Sequence, residues 1–152
     1  MNELLARLTG LPVQDHTQTN RTLDASPETF PLNRNFYADF SHDNEMVSIY
    51  SALGLFRQYR LPEQKLDPTN PSPVRTWVTS NLVPFSARMV VEKLQCGGEL
   101  PKGVFVRILV NDAVQPLEFC GGVAGLCELD AFLASQEYAR QDGEGDFDKC
   151  FN

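Results

Sequence analysis

Apolar positions recur at helical spacing in three stretches of the chain, and each stretch predicts an amphipathic helix. The first covers residues 1–10, where Leu4, Leu5 and Leu8 share one side and Gly10 provides a C-terminal stop. The second covers residues 43–55, with Ser41 or His42 as its cap and Gly54 at its end, and the third covers residues 129–140. The apolar positions of these two stretches are Met46, Val47, Ile49, Tyr50 and Leu53, followed by Phe132, Leu133 and Tyr138.

Runs rich in β-branched and aromatic residues predict strands between the helices. Residues 36–40 form one such run, which we expect to lie well inside a sheet, and residues 74–95 form another that breaks near Pro84. The segments "VFVRILV" and "AVQPLEF" flank Asn111-Asp112, which is a β-hairpin signal. The order of helix, strand, helix, a mainly β stretch and a last helix predicts an α/β fold.

Two polar, proline-punctuated segments separate these elements. Residues 12–33 predict a surface loop with a short helical turn. Residues 60–75, "RLPEQKLDPTNPSPVR", hold four prolines in 16 residues and predict a loop too short to separate two domains. We therefore expect one domain. Because the chain begins inside a predicted helix without any lead-in, we also expect it to be a piece of something longer.

Composition narrows the class of protein. The 152 residues are 42% hydrophobic and 22% charged, which is typical of a globular protein with a sizeable core. The net charge of −7 argues against nucleic acid or an anionic membrane as a partner. No run of about 18 apolar residues is present to span a bilayer. The first ten residues lack the basic region and long apolar core of a signal peptide.

The cysteines bear on the redox compartment. No Cys-x-x-Cys occurs and neither histidine lies at a zinc-finger spacing, which argues against a structural zinc. Cys120 and Cys127 close a short glycine-rich loop, "CGGVAGLC", that is easily bridged and so favours an oxidising compartment. Four buried free thiols are an equal alternative, the other two being Cys96 and Cys150. A sequon at Asn20 would be glycosylated only in a secreted chain.

His42 and Asp43 lie where the predicted strand ends and the second helix starts. In open α/β sheets, ligands bind beyond the carboxyl ends of strands, and free N–H groups at a helix start suit a phosphate. A histidine can donate to a phosphate oxygen, and a protonated aspartate can protonate a leaving oxygen. The pair fits phosphoryl transfer, although such dipeptides are common and an aspartate here is usually only a cap. His16, in the polar loop, fits a solvated histidine better than a nucleophile.

Six segments together resemble the C-terminal third of fungal phytases, which belong to the histidine acid phosphatase family. The segments are "NELLARLTG", "TLDASPETFPLN", "FYADFSHDN", "VPFSARMVVEKLQC", "VRILVNDAVQPLEFC" and the terminal "CFN". The similarity covers nearly all 152 residues in order. It implies the C-terminal portion of a phosphoglycerate-mutase-like α/β fold with an antiparallel hairpin and a C-terminal helix. Residues 1–152 would then form a single partial domain.

The resemblance also implies a chemistry. The family hydrolyses phosphomonoesters, with phytate (inositol hexakisphosphate) preferred by the phytase branch, through a phosphohistidine and without a metal or other cofactor. Its N-terminal Arg-His-Gly motif carries the nucleophile, and a later His-Asp motif carries a phosphate ligand and a general acid. The later motif matches His42 as the substrate-binding residue and Asp43 as the catalytic acid. No Arg-His-Gly occurs in this sequence, so we expect the chain to be inactive alone. Glu45 departs from the glycine expected there and adds negative charge.

Further expectations follow from the same resemblance. Cys120 and Cys127 would pair with each other, whereas Cys96 and Cys150 would bridge to cysteines of an N-terminal part that this chain does not contain. That part would be the partner, with a phosphomonoester as substrate, and the protein would be secreted and glycosylated at Asn20. The alternative is a non-catalytic binding module that kept the fold segment and binds a partner through an exposed sheet edge.

Overall fold

A computed structural model describes residues 1–17, 20–57, 76–98 and 102–151. In these ranges, helices stand beside one four-stranded antiparallel sheet, which agrees with the predicted α/β class. The helices are α1 (Asn2–Thr9), α2 (Arg21–Asp24), α3 (Asp43–Leu53), α4 (Thr79–Leu82), α5 (Leu129–Ser135) and α6 (Glu137–Arg140). The strands are β1 (Met89–Cys96), β2 (Gly103–Val110), β3 (Ala113–Val114) and β4 (Cys127–Glu128). Short 3₁₀ turns cover Glu118–Cys120, Asp142–Gly145 and Asp148–Cys150.

The sheet is built around β2. β1 pairs with it along its whole length, from Met89 opposite Val110 to Cys96 opposite Gly103. β3 pairs with the C-terminal end of β2 and β4 with its middle, so both share the edge of β2 that faces away from β1. The most continuous apolar strand of the described ranges therefore lies at the centre of the sheet, where it has neighbours on both edges.

The predicted hairpin turn is confirmed. Asn111 and Asp112 have φ angles of 49° and 67°, and this double left-handed conformation is that of a type I′ turn. Arg88 closes the turn from the other side: its N–H donates to Asn111 Oδ1 at 3.0 Å and its guanidinium pairs with Asp112. The second arm is shorter than the sequence indicates, because Pro116 has no N–H to continue a ladder.

The core lies between the sheet, α1, α3 and α5. The predicted ends of α1 and α3 are confirmed, since Gly10 and Gly54 adopt left-handed φ angles of 73° and 79°. Tyr50 is fully buried, its hydroxyl donates to the Leu82 carbonyl at 3.4 Å, and burial raises its pKa above the ordinary value. The buried apolar residues of this core are Leu5, Leu8, Tyr50, Leu53, Leu55, Leu82, Val106, Ile108, Val110, Leu117, Cys127 and Phe132.

The predicted strand over residues 36–40 is wrong. No strand is assigned there, Phe36 is 81% exposed and Phe40 is fully exposed. Within the described ranges, the backbone of residues 31–41 makes no hydrogen bond to other backbone groups. An apolar segment becomes a buried strand only when a neighbouring strand supplies the ladder, and none of the strands described here lies beside it.

Two other expectations need adjustment. Part of the stretch 74–95 forms α4 instead of a strand, because Asn111 Nδ2 from the hairpin turn donates to the carbonyls of Asn81 and Leu82 and holds that helical turn. Tertiary contacts thus override β propensity here. The C-terminal helix is divided at Gln136 into α5 and α6. Val74 and the proline-rich loop 60–75 lie outside the described residues.

Candidate functional site

The His-Asp pair lies at the start of α3. His42 has φ −121° and ψ 163°, and its carbonyl accepts the Met46 N–H at 2.9 Å, so it is the N-cap residue of the helix. Its imidazole makes no capping hydrogen bond. The side chains of His42 and Asp43 are both exposed. The sequence therefore placed the pair correctly at the start of a helix but wrongly at the end of a strand, because no strand is assigned to residues 36–40, and both side chains can be reached from solvent.

Two of the first-turn N–H groups of α3 already have hydrogen-bond partners. The Asn44 N–H donates to Asp43 Oδ1 at 2.8 Å, and the Glu45 N–H donates to Asn44 Oδ1 at 2.9 Å. The expectation of free N–H groups waiting for a phosphate needs correction at these two positions. An anion that binds to these two N–H groups would have to displace short-range side-chain contacts.

A second carboxylate lies in the same turn. Glu45 is exposed, and its Oε2 accepts a hydrogen bond from the Ser41 hydroxyl at 2.8 Å. Ser41 and Glu45 thus bracket the His-Asp pair on both sides along the chain. A negative charge near the helix N-terminus is favourable to the helix dipole, but it opposes the binding of an anion at the same place.

Arg7 of α1 holds the segment that leads into the site. Its guanidinium forms a two-pronged ion pair with Asp39, in which Nη2 lies 3.1 Å from Oδ1 and Nη1 bonds Oδ2. The same group lies 4.9 Å from the ring centroids of both Phe30 and Tyr37. Sequence reasoning missed this cluster, because its members are up to 32 residues apart and no local pattern joins them.

The described surface grooves do not include the pair. One groove of about 420 Å³ lies between α4 and the hairpin turn, and another of about 300 Å³ lies between the start of α1 and the 3₁₀ turn Asp142–Gly145. Neither His42 nor Asp43 lines either groove. Over the described ranges, no three His, Cys, Asp or Glu side chains come together as a metal-binding group. No described helix is both long enough and apolar enough to cross a bilayer.

The remaining predicted positions lie elsewhere on the surface. Asn20 is exposed and caps α2, where its side-chain oxygen accepts the Thr22 N–H at 3.1 Å. His16 is 70% exposed, as expected of a solvated histidine, but it pairs with Asp142, whose Oδ2 lies 3.0 Å from His16 Nδ1.

The cysteines divide into a pair and two free thiols. A disulfide joins Cys120 to Cys127, with 6.2 Å between the Cα atoms. It closes the loop between the 3₁₀ turn Glu118–Cys120 and β4. Cys96 is a half-buried free thiol at the end of β1, and Cys150 is an exposed free thiol near the C-terminus of the chain.

This chain matches a known protein family and several fungal proteins. The family model for the histidine phosphatase superfamily, branch 2, matches residues 1–111, a range that contains α1, α3 and the His-Asp pair. Phytase A of Aspergillus terreus is 47% identical over 151 residues, which are 99% of this chain and 31% of that protein. Phytase A of Aspergillus fumigatus is 45% identical and that of Arthroderma benhamiae 43%, each over 99% of this chain. The chain spans 31–33% of the length of these relatives.

Proposed function

Because the chain belongs to the histidine phosphatase superfamily, branch 2, we propose that residues 1–152 form the C-terminal part of a phosphomonoester hydrolase that acts on phytate. The observation that carries this proposal is the position of His42 and Asp43, adjacent and exposed at the start of α3 inside the matched range. The similarity to three fungal proteins named Phytase A supports the substrate class.

The proposed chemistry has two steps. A histidine from an Arg-His-Gly segment outside this chain attacks phosphorus, and the bond from phosphorus to the leaving oxygen breaks as Asp43 gives that oxygen its proton. His42 donates a hydrogen bond to a phosphate oxygen. Water then attacks phosphorus, the P–N bond to the histidine breaks, and phosphate leaves with the histidine restored. The Asp43 carboxylate takes up the water proton, which restores the acid. The first step needs a protonated carboxyl group.

The proposal also covers the location of the protein, its glycosylation and its partner. We propose a secreted protein that is glycosylated at Asn20, an exposed side chain at the start of α2. The Cys120–Cys127 bridge is compatible with an oxidising compartment. The partner of this chain would be the N-terminal part of the same fold.

One observation favours the alternative, a binding module without catalysis. Phe36 and Phe40 expose their rings beside a backbone that makes no backbone hydrogen bond with the described residues. Such a segment can receive a partner strand whether or not the partner carries a nucleophile. The two proposals differ in whether the assembled protein turns over a phosphomonoester.

Complementation tests the enzymatic proposal. The chain would be co-expressed with the N-terminal two thirds of a fungal phytase, and phosphate release measured from phytate and para-nitrophenyl phosphate in acidic solution. We expect no release by the lone chain above a His42→Ala control. In the assembled enzyme, Asp43→Asn should lower kcat for phytate by about 10²–10⁴-fold. The loss should be smaller for para-nitrophenyl phosphate, whose leaving group needs less protonation.

Asp130→Asn is the matched control. Asp130 is also an exposed aspartate in the first turn of a helix, α5, but it lies outside the family-matched range. It should leave kcat unchanged, while size-exclusion chromatography verifies that each variant assembles. Equal losses for the two substrates in Asp43→Asn would contradict the acid role. An assembled complex without turnover would favour the binding module.

A further inference from the structure

We propose that Arg7 is a positioning residue for His42 and Asp43, acting through Asp39. This inference rests on the proposed function, because it concerns the placement of the groups that would contact phosphate. Arg7 belongs to α1, whereas Asp39 lies in the segment without an assigned helix or strand that leads into α3, so the contact joins a helix to a segment 32 residues away.

The Arg7 guanidinium contacts a carboxylate and two aromatic rings. Both terminal nitrogens face the Asp39 carboxylate, and the Phe30 and Tyr37 rings lie at equal distances of 4.9 Å from Arg7 Cζ. The Arg7 side chain is only 19% exposed, although Asp39 is 70% exposed. Charge-assisted, two-pronged pairing fixes direction as well as distance. Arg7 therefore restrains the orientation of the Asp39 carboxylate.

The segment that follows has few other restraints. The backbone of residues 31–41 makes no hydrogen bond to other backbone groups in the described ranges, although the Arg34 N–H donates to the Tyr37 hydroxyl at 3.2 Å, and Phe40 is fully exposed. Among the described residues, two side-chain contacts hold the chain just before the pair. The Arg7 guanidinium pairs with Asp39, and the Ser41 hydroxyl donates to the Glu45 carboxylate. Only Phe40 and Ser41 separate Asp39 from His42. Movement at Asp39 should therefore pass directly to the N-cap residue of α3.

A lysine could not replace this arginine. An ammonium group has no planar fork for the carboxylate and stacks poorly between two rings. Arg7 Nε is buried and finds no hydrogen-bond partner among the described residues, so the side chain is held by its terminal nitrogens and its faces. Arg7→Lys would keep the charge and lose the geometry, which separates positioning from simple electrostatics.

The test uses this chain assembled with the N-terminal part of a fungal phytase, with isotope label in this chain only, and needs no turnover. His16 and His42 are the only histidines of the sequence, so a His16→Gln background isolates the His42 imidazole signals in NMR spectra. We expect Arg7→Gln, Arg7→Lys and Asp39→Asn to shift those signals. The Asn44 and Glu45 amides should exchange about three- to tenfold faster, since one charge-assisted contact is lost. The double variant Arg7→Gln/Asp39→Asn should match the single ones.

Arg88→Gln is the matched control, because it breaks another two-pronged pair, with Asp112 at the hairpin turn. It should leave the His42 signals and the two amides unchanged. If Arg7→Gln unfolds the chain, Asp39→Asn tests the same link without altering α1. Unchanged His42 signals in a folded Asp39→Asn chain, or equal shifts in Arg88→Gln, would overturn the inference. If the proposed phosphatase function is wrong, the complementation assay would show it, whereas the NMR comparison would not be affected.

Discussion

The Ser41 hydroxyl donates to Glu45 Oε2 at 2.8 Å and so ties the residue before His42 to the first turn of α3. The contact fixes a carboxylate next to the proposed phosphate ligand. The resemblance to fungal phytases predicts glycine at this position. The local structure thus gains a helix-stabilising charge that a polyanionic substrate would encounter.

Glu45→Gln should improve the binding of phytate. In the assembled enzyme we expect KM for phytate to fall about two- to fivefold. The substitution removes one negative charge, whose repulsion of phytate is partly screened by dissolved ions. Para-nitrophenyl phosphate carries less charge and should respond less, and added salt should shrink the difference. Glutamine can still accept the Ser41 hydrogen bond, so a general loss of stability is not expected. Equal changes of KM for both substrates would show that Glu45 does not select against charge.

Peptide mapping without reduction should find a Cys120–Cys127 bridge and two free thiols, Cys96 and Cys150, in the oxidised lone chain. The closed loop is short, so reduction should lower the free energy of unfolding by at most about 2–3 kcal/mol. Cys120→Ser/Cys127→Ser should reproduce that loss and be insensitive to reductant. A dominant Cys96–Cys150 bridge would indicate a self-contained domain and count against the proposed partial domain.

The lone chain should bind the dye ANS through Phe36 and Phe40 and tend to associate, because their rings form exposed apolar surface. The double variant Phe36→Ser/Phe40→Ser should bind less dye than the parent chain. Phe85→Ser is the control, since Phe85 is equally exposed but lies outside this segment. Co-expression with the N-terminal part should have the same effect as the double variant. A parent chain that is monomeric, unfolds in one sharp transition and binds little dye would refute this expectation.

The C-terminal turns should respond to acid through Asp146. Hydrogen bonds from Lys149 and then from the Tyr138 hydroxyl lower the pKa of Asp146 below its ordinary value of 3.8. A lowered folded pKa gives stability that is present above 3.8 and is lost as the pH falls through the folded value. We expect the NMR signals of Tyr138 to change in that acidic window and to stay constant in Asp146→Asn. A change of the same size in Asp146→Asn would assign the effect to another group.

The sequence was most informative where the signal is local. Gly10 and Gly54 were predicted to end helices and do so, and Asn111-Asp112 was predicted to form a hairpin turn and does so. These features depend on the conformational preferences of a few neighbouring residues. The placement of His42 at the start of α3 followed from the same kind of signal, since it depends only on where the helical pattern begins.

Features set by distant residues were beyond such reasoning. Residues 36–40 have strand-like composition, but composition cannot supply a neighbouring strand. Propensity alone also missed α4, which the Asn111 side chain holds from the hairpin turn. The Arg7–Asp39 pair joins side chains 32 residues apart and could not be inferred from either position alone. A phosphate pocket formed by residues from two halves of a fold would likewise leave no local sequence pattern.

The eight-residue pairing of β1 with β2 has a consequence for the order of folding. Its partners are close in sequence, so closing the connection costs little chain entropy, and hairpins of this kind form in about 1–10 μs. We expect this ladder to serve as the kinetic nucleus, with α1 docking later. Ile108→Val should then slow refolding, whereas Leu8→Ala should mainly speed unfolding. Stopped-flow rates that assign both changes to the unfolding limb would place the nucleus elsewhere. The lone chain could thus acquire its central strand pair while residues 36–40 still have no neighbouring strand.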